Sequence, residues 1–197
     1  MAGVWKILVQ DYFSRWIKPD DAVLDAGAGP CHFINNVKAR RRVAVDANPN
    51  VAKSCAPGVE FILSDDFSTL PDQCFNVIFM SNFLEHLDNG AAVVTVLSQL
   101  RQRLAPGGRM IILQPNFALV GARYFDFIDH KTILTDASLS EALALAGLRV
   151  EWMRRRFLPY TSKSRLPKTG FLVRLYLKMP LAQYFMGKQT LVVAQAA

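Results

Sequence analysis

The chain has 197 residues, of which 51% are hydrophobic and 20% charged; this balance excludes disordered and low-complexity classes and suffices for one domain with a full core. Its three cysteines (Cys31, Cys55 and Cys74) are an odd, widely spaced set without a CxxC pair. They argue against a disulfide framework and a zinc site, and fit a reducing cytosol. The opening run MAGVWKILVQDYFSRW meets Asp11 before its apolar stretch reaches export length, so no signal peptide is expected. No uncharged apolar run approaches the roughly 20 residues that span a bilayer. The net charge of +7 is unevenly spread. After Glu151 there is no acidic residue, while Arg154, Arg155, Arg156, Lys163, Arg165, Lys168, Arg174, Lys178 and Lys188 follow. Such a basic tail suits either an anionic or membrane-associated partner or a solvated surface.

In chain order, AVLDAG (22–27) is an apolar strand ending in glycine, and CHFINNVKAR after it reads as helix. RVAVDAN (42–48) is a second strand, with Pro49 opening the next helix at the favoured first-turn position. VEFIL (59–63) and FNVIFMSN (75–82) are the third and fourth strands. NGAAVVTVLSQLRQRLAPGG (89–108) is a long amphipathic helix stopped by Pro106, Gly107 and Gly108, and RMIIL (109–113) is a fifth strand. Continuous apolar strands separated by helices predict an α/β, doubly wound parallel sheet with helices on both faces. Later, Ser138 and Glu141 have capping-box spacing before SEALALA, which stops at Gly147. LRVEWMRRRFLPY (148–160) and QTLVVAQ (189–195) read as two last strands. The intervening insert at about 161–188 holds FLVRLYLKM and PLAQYFMG, with Pro180 breaking any single helix. With no repeat and no linker, residues 1–197 are expected to form a single domain.

Ligands of open parallel sheets bind beyond the carboxyl ends of the strands. There, Gly27 and Gly29 permit a tight turn and close approach to the backbone. A dinucleotide fingerprint needs a third glycine where this chain has His32, which disfavours a nicotinamide-dependent oxidoreductase. Asp46 ends the second strand, 19 residues after Gly27, where a carboxylate can accept bonds from two ribose hydroxyls. Ser64-Asp65-Asp66 follows the third strand, and Asp25 precedes the glycine turn. Carboxylates at three consecutive strand ends would repel a pyrophosphate and suit S-adenosylmethionine, which carries an ammonium and a sulfonium. The bland alternative is that these aspartates are turn residues.

With these segments, the sequence resembles the class I S-adenosylmethionine-dependent methyltransferases. VLDAGAGP is similar to their first motif, VAVDANPN to their acidic second strand, and LSDDF to their adenine-side loop. FNVIFMSNFLEHL and LAPGGRMIILQPN resemble their fourth- and fifth-strand segments, so the likeness spans residues 22–116 in order. It implies a Rossmann-like, mostly parallel seven-stranded sheet with an antiparallel last strand. It implies S-adenosylmethionine as methyl donor and S-adenosylhomocysteine as product. It assigns Gly27 and Gly29 to the methionine moiety, and Asp46 to the ribose hydroxyls with Ala47 beside it in the donor set. Asp65 and the Asp66 backbone meet the adenine, and Ser81 offers its carbonyl near the donor's amino group. The chain departs from the pattern at Cys31, where many relatives have a third glycine, and at Asn76, where aspartate is usual. The segments YFDFIDHKTILTDASLSEALALAGL and RFLPYTSKSRLPKTGFLVRLYLKMPLAQYFMGKQ resemble a bacterial subgroup tied to cell-surface polysaccharide and lipid-linked sugar pathways.

A hydroxyl acceptor benefits from a general base, and two histidines are candidates. His86 follows the fourth strand in NFLEHL, and its alternative role is to anchor the loop. His130 follows the fifth, with Asp126 and Asp129 near enough in sequence to orient it. His32 is read as structural or near the donor, and Glu85 as a ligand for an acceptor hydroxyl or a metal. No second ligand pattern accompanies Glu85, so no metal is expected. Ser81-Asn82-Phe83-Leu84 lacks the Asn/Asp-Pro-Pro-aromatic motif of base-amine methylation, and Cys74 reads as packing rather than as a nucleophile. Nucleic acid is therefore not the expected acceptor; a small-molecule or lipid-linked one is. The stretch LVRLYLKMPLAQYFM is too aliphatic for an RNA surface. It ranks first as a lid or sheet cover, second as a contact with an anionic membrane surface, third as an RNA site. The expected location is cytoplasmic, with peripheral membrane contact through the tail. The competing reading is a non-catalytic nucleotide-binding module that docks to a membrane or partner through that tail.

Overall fold

A computed structural model describes residues 2–160 and 169–197. A short helix α1 (Ala2–Ile7) continues through a wider π turn and a 3₁₀ turn to Trp16. Strands β1 (Ala22–Ala26), β2 (Arg41–Asp46), β3 (Glu60–Leu63) and β4 (Phe75–Ser81) follow. Helix α2 (Gly90–Arg103) leads to β5 (Leu104–Pro115), a one-turn helix α3 (Phe117–Val120) and helix α4 (Asp136–Leu145). The chain closes with β6 (Leu148–Leu158), helices α5 (Gly170–Lys178) and α6 (Pro180–Met186), and β7 (Gln189–Ala196). The sheet order is β3-β2-β1-β4-β5-β7-β6, with β1 to β5 parallel and β7 antiparallel to both its neighbours. The order reverses between β1 and β4, which opens a crevice above their carboxyl ends.

Apolar residues run without alternation in the central strands because both faces are covered. In β1, Val23 and Leu24 are both fully buried, one on each side. Leu24, Ile78, Met80 and Ile112 pack with Val93 and Leu97 of α2 and Leu139 and Leu143 of α4. Val23, Val77, Phe79 and Ile111 pack with Leu8, Tyr12 and Phe13 of the N-terminal segment and with Phe33 and Phe157. Among the described residues, no helix is long and apolar enough to cross a membrane.

Three local expectations are corrected, and a fourth, the helix opened by Pro49, is met in 3₁₀ form. The segment 31–40 forms only a 3₁₀ turn at Ile34–Asn36 rather than a helix. Its asparagines are spent on backbone: Asn35 reaches out to Ser54 O and the Ala56 amide, and Asn36 donates within the segment to His32 O. Pro49 opens a 3₁₀ helix, Pro49–Ser54, capped by Asn48. Helix α2 ends at Arg103, because Leu104 already pairs with Phe75 and the Pro106-Gly107-Gly108 turn lies within β5. Gly108 passes so close to β4 that a Cβ would stand 2.9 Å from Phe75 O. Thr135, not Ser138, caps α4, and Ser138 returns the reciprocal bond to Thr135 N.

The insert is a helical hairpin broken between Met179 and Pro180, as Pro180 predicts; its first part, 161–168 with Lys163, Arg165 and Lys168, lies outside the described residues. Buried Gln183 ties the hairpin together. Its amide donates to Tyr176 O and Leu177 O at the end of α5, and its carbonyl accepts from Arg154 of β6.

Candidate active site

The turn after β1 requires glycine twice over at its first position. Gly27 has φ +70°, and a Cβ there would lie 2.4 Å from the Phe83 ring. Gly29 has φ +48° with nothing within 4 Å of its missing Cβ, so the space above it is open. The turn is moored to β2: the Gly27 and Ala28 amides donate to Val45 O, and the Gly29 amide donates to Asp46 Oδ2 at 2.8 Å. Asp46 Oδ1 accepts from Asn48 N, also at 2.8 Å, and Ala47 between them is exposed. Cys31, where the resemblance has a third glycine, adopts φ +55°.

Asp25 is buried beneath this turn, with one carboxylate oxygen unpartnered. Burial pushes its pKa well above the usual carboxylate range; the Ile34 amide pulls it back, and the nearby Asp46 charge pushes it further up. Asp65 is exposed after β3. The Asp66 side chain turns inward to Ser68 and Gln99, which hold its pKa down, and its amide donates to Ser64 Oγ at 3.0 Å. Ser81 ends β4, its hydroxyl accepting from Asn82, whose φ is +50°. All these residues stand at the carboxyl edge of the sheet.

A second constellation lies beside the first, past the ends of β4 and β5. Glu85 is fully buried. Its Oε2 accepts from Gln114 Nε2 at 3.0 Å, and its Oε1 has no partner. Burial raises the Glu85 pKa to about 7. His130 Nε2 lies 4.0 Å from that free oxygen, and His130 Nδ1 is 3.5 Å from the Tyr160 hydroxyl. Burial, and then the His86 charge, lower the His130 pKa. Burial, with the Glu85 charge second, raises the Tyr160 pKa to about 12.

The two histidine rings meet edge to face at 5.1 Å. The expected orientation of His130 by Asp126 or Asp129 is corrected. Asp129 instead receives His86 Nδ1 through both its carboxylate (3.3 Å) and its carbonyl (3.2 Å), and Asp126 pairs with Arg123. The turn at 127–130, closed by His130 N to Phe127 O, aims Asp129 at the other histidine. Gln114 and Tyr160 are site residues the sequence reading missed. The one signal for Gln114 was a polar residue ending an apolar strand; Tyr160 carried none.

Glu85, His86 and His130 form the polar end of a cavity of about 570 Å³ that starts at Asn82. Its walls are apolar, drawn from Trp5 and Leu8, from Phe127, and from Leu172, Tyr176 and Met179 of the hairpin.

The sequence matches the family model described as a methyltransferase domain over residues 3–152. The chain belongs to this family. Among the curated proteins, none matches this sequence. The methyltransferase domain is similar in structure to an S-adenosylmethionine-dependent methyltransferase from Archaeoglobus fulgidus, with a TM-score of 0.71 and 19% identity over 98% of this chain and 94% of that one. It is similar to one from Mesorhizobium loti, with a TM-score of 0.66 and 15% identity over 93% and 95%. The CcbJ methyltransferase of Streptomyces caelestis gives 0.67 and 15% over 99% and 89%. At these identities the likeness is one of fold. The family match ends at residue 152, so Tyr160 and the α5–α6 hairpin, which close the methyltransferase domain's cavity, lie beyond it.

Proposed function

We propose that this methyltransferase domain transfers a methyl group from S-adenosylmethionine to a small-molecule or lipid-linked acceptor whose apolar body lies in the cavity. One arrangement carries the reading: the open glycine turn with Asp25 and Asp46 stands at the carboxyl ends of β1 and β2, and an apolar cavity holding Glu85, His86 and His130 begins at Asn82, after the adjacent strand β4. Carboxylates at a crevice favour a cationic ligand over a phosphorylated one. In this reading Gly27 and Gly29 face the methionine moiety, Asp46 takes the ribose hydroxyls beside Ala47, and Asp25, buried beneath the turn, completes the donor side. Asp65 and the Asp66 backbone meet the adenine, which requires Ser64 to release the Asp66 amide, and Ser81 faces the amino group.

The reaction is an in-line displacement. The acceptor atom attacks the methyl carbon, and the carbon–sulfur bond breaks with its electron pair on sulfur, leaving S-adenosylhomocysteine. Alignment alone can lower the barrier by several kcal/mol. For a hydroxyl acceptor the proton passes to the histidine pair, His130 or His86. Residues 1–197 act as one domain, with the hairpin as its acceptor-facing lid. Calorimetric titration with S-adenosylhomocysteine, NAD and NADP tests the donor. Binding of the first alone is expected, and its failure to bind overturns the reading.

Exposed apolar side chains favour the lipid-linked form of the acceptor and a peripheral contact with an anionic membrane. Phe171, Leu181 and Phe185 are each about three-quarters exposed on the hairpin, with Lys178 among them, and Ile128 stands fully exposed on the loop that shares the cavity. Co-sedimentation with vesicles containing phosphatidylglycerol is expected to weaken when Arg154, Arg155 and Arg156 lose their charge. A parent protein that stays in the supernatant removes the membrane contact.

A further inference from the structure

We infer that Glu85, His86 and His130 form a site for one divalent transition-metal ion of the zinc type, with an open coordination position facing the cavity. Each offers one ligand atom, and these atoms lie within 4.8 Å of one another. A tetrahedral ion with bonds of about 2.1 Å holds its ligand atoms roughly 3.4 Å apart. The Glu85 Oε1 to His130 Nε2 separation of 4.0 Å therefore needs only a small contraction.

On Glu85 and His130 the free atoms are the two that face each other. Glu85 Oε2 is occupied by Gln114, so Oε1 remains, fully buried and without a partner. An unpaired carboxylate oxygen in that position is costly, and a cation removes the cost. His86 Nδ1 is held by the carbonyl and carboxylate of Asp129, which leaves Nε2. His130 Nδ1 faces the Tyr160 hydroxyl, which leaves Nε2, the nitrogen that points at Glu85. Both imidazoles thus have an outer partner on one nitrogen and a bare second one, the arrangement that fixes ring orientation in histidine–metal sites. Two imidazoles and one carboxylate favour zinc, iron, cobalt or nickel over magnesium or calcium, which prefer oxygen shells. All three side chains line the cavity, so the remaining position opens where an acceptor oxygen would lie. The site does not depend on methyl transfer. With an ion bound, though, the two histidines would no longer take up a proton; the ion would instead lower the pKa of an acceptor hydroxyl, whose proton would leave to solvent.

Titration of the untagged, metal-stripped chain with Co(II), followed by visible absorption, tests the site. One equivalent is expected to give the d–d bands of a four- or five-coordinate ion. Glu85→Gln and His86→Gln are each expected to weaken binding by about tenfold or more. His86 is more than a third exposed, so His86→Gln keeps the test if Glu85→Gln fails to fold. Absence of the bands overturns the inference, as do bands untouched by both substitutions. Strong near-ultraviolet sulfur-to-cobalt charge transfer also overturns it, because Cys31 and Cys55, whose sulfurs stand 3.1 Å apart, would then be the ligands. S-adenosylhomocysteine titration of the same preparation separates the two readings: donor binding without cobalt binding removes the metal site alone, and the reverse removes only the methyl-transfer reading.

Discussion

The amide of Gly29 donates to Oδ2 of Asp46, so one carboxylate joins the turn after β1 to the end of β2. Because the same side chain also accepts from the Asn48 amide, it ties the loop after β2 to the glycine turn as well as offering charge to the site. Asp46→Ala is expected to cost about 1–3 kcal/mol in urea denaturation, from two amides losing an acceptor. It should also lower S-adenosylhomocysteine affinity by about tenfold or more, roughly 1.4 kcal/mol. Unchanged affinity in a folded variant would remove Asp46 from the ribose.

Asp25 gives a pH signature. Its pKa in the folded chain is raised, so between the ordinary carboxylate value and the folded one the native state holds a proton that the unfolded state has lost. The stability this contributes is complete below the ordinary value and disappears as pH rises through the folded value. Asp25→Asn should flatten that decline and be relatively more stable at pH 8 than at pH 5. Parallel stability–pH curves for the two proteins would contradict it.

Gly27 meets two separate constraints, and a double-mutant cycle can part them. Gly27→Ala is expected to destabilise by about 1–3 kcal/mol or more, through positive φ and through the Phe83 ring. In a Phe83→Ala background the steric part should vanish and the backbone part of about 1 kcal/mol remain. Strict additivity of the two changes would mean that Phe83 moves aside without cost.

Gln183 holds the hairpin by three polar contacts, two to the end of α5 and one to Arg154. Gln183→Leu should therefore speed hydrogen exchange in α5 and α6 while leaving β1 and β4 protected. Exchange that rises throughout the sheet would show the hairpin to be part of the main cooperative unit.

The parallel half of the sheet was legible because burial on both faces writes strands as unbroken apolar runs, as in Val23-Leu24 and Val77-Ile78-Phe79. The glycine turn was legible because positive φ and close approach leave few other residues to choose from. Segment 31–40 was misread because Asn35 spends its side chain on the distant backbone of Ser54 and Ala56, a choice set by tertiary neighbours, while Asn36 bonds back to His32 O. Asp129 went to the wrong histidine because turn geometry, not distance along the chain, decides where a loop side chain points. The depth of Glu85 was hidden for a related reason: a carboxylate beside His86 in a polar-looking loop gives no sign that Gln114 waits on the neighbouring strand.

The last strand in the chain is not the last in the sheet, since β7 pairs with β5 on one side and β6 on the other. In the sheet β6 touches β7 alone, from Leu148 opposite Ala196 to Leu158 opposite Gln189, so β6 joins the sheet only through β7. The α5–α6 hairpin lies in the chain between β6 and β7, so the roof of the cavity depends on that pair while its floor rests on β4 and β5. A pocket roofed by the hairpin is thus complete only once β7 stands between β5 and β6.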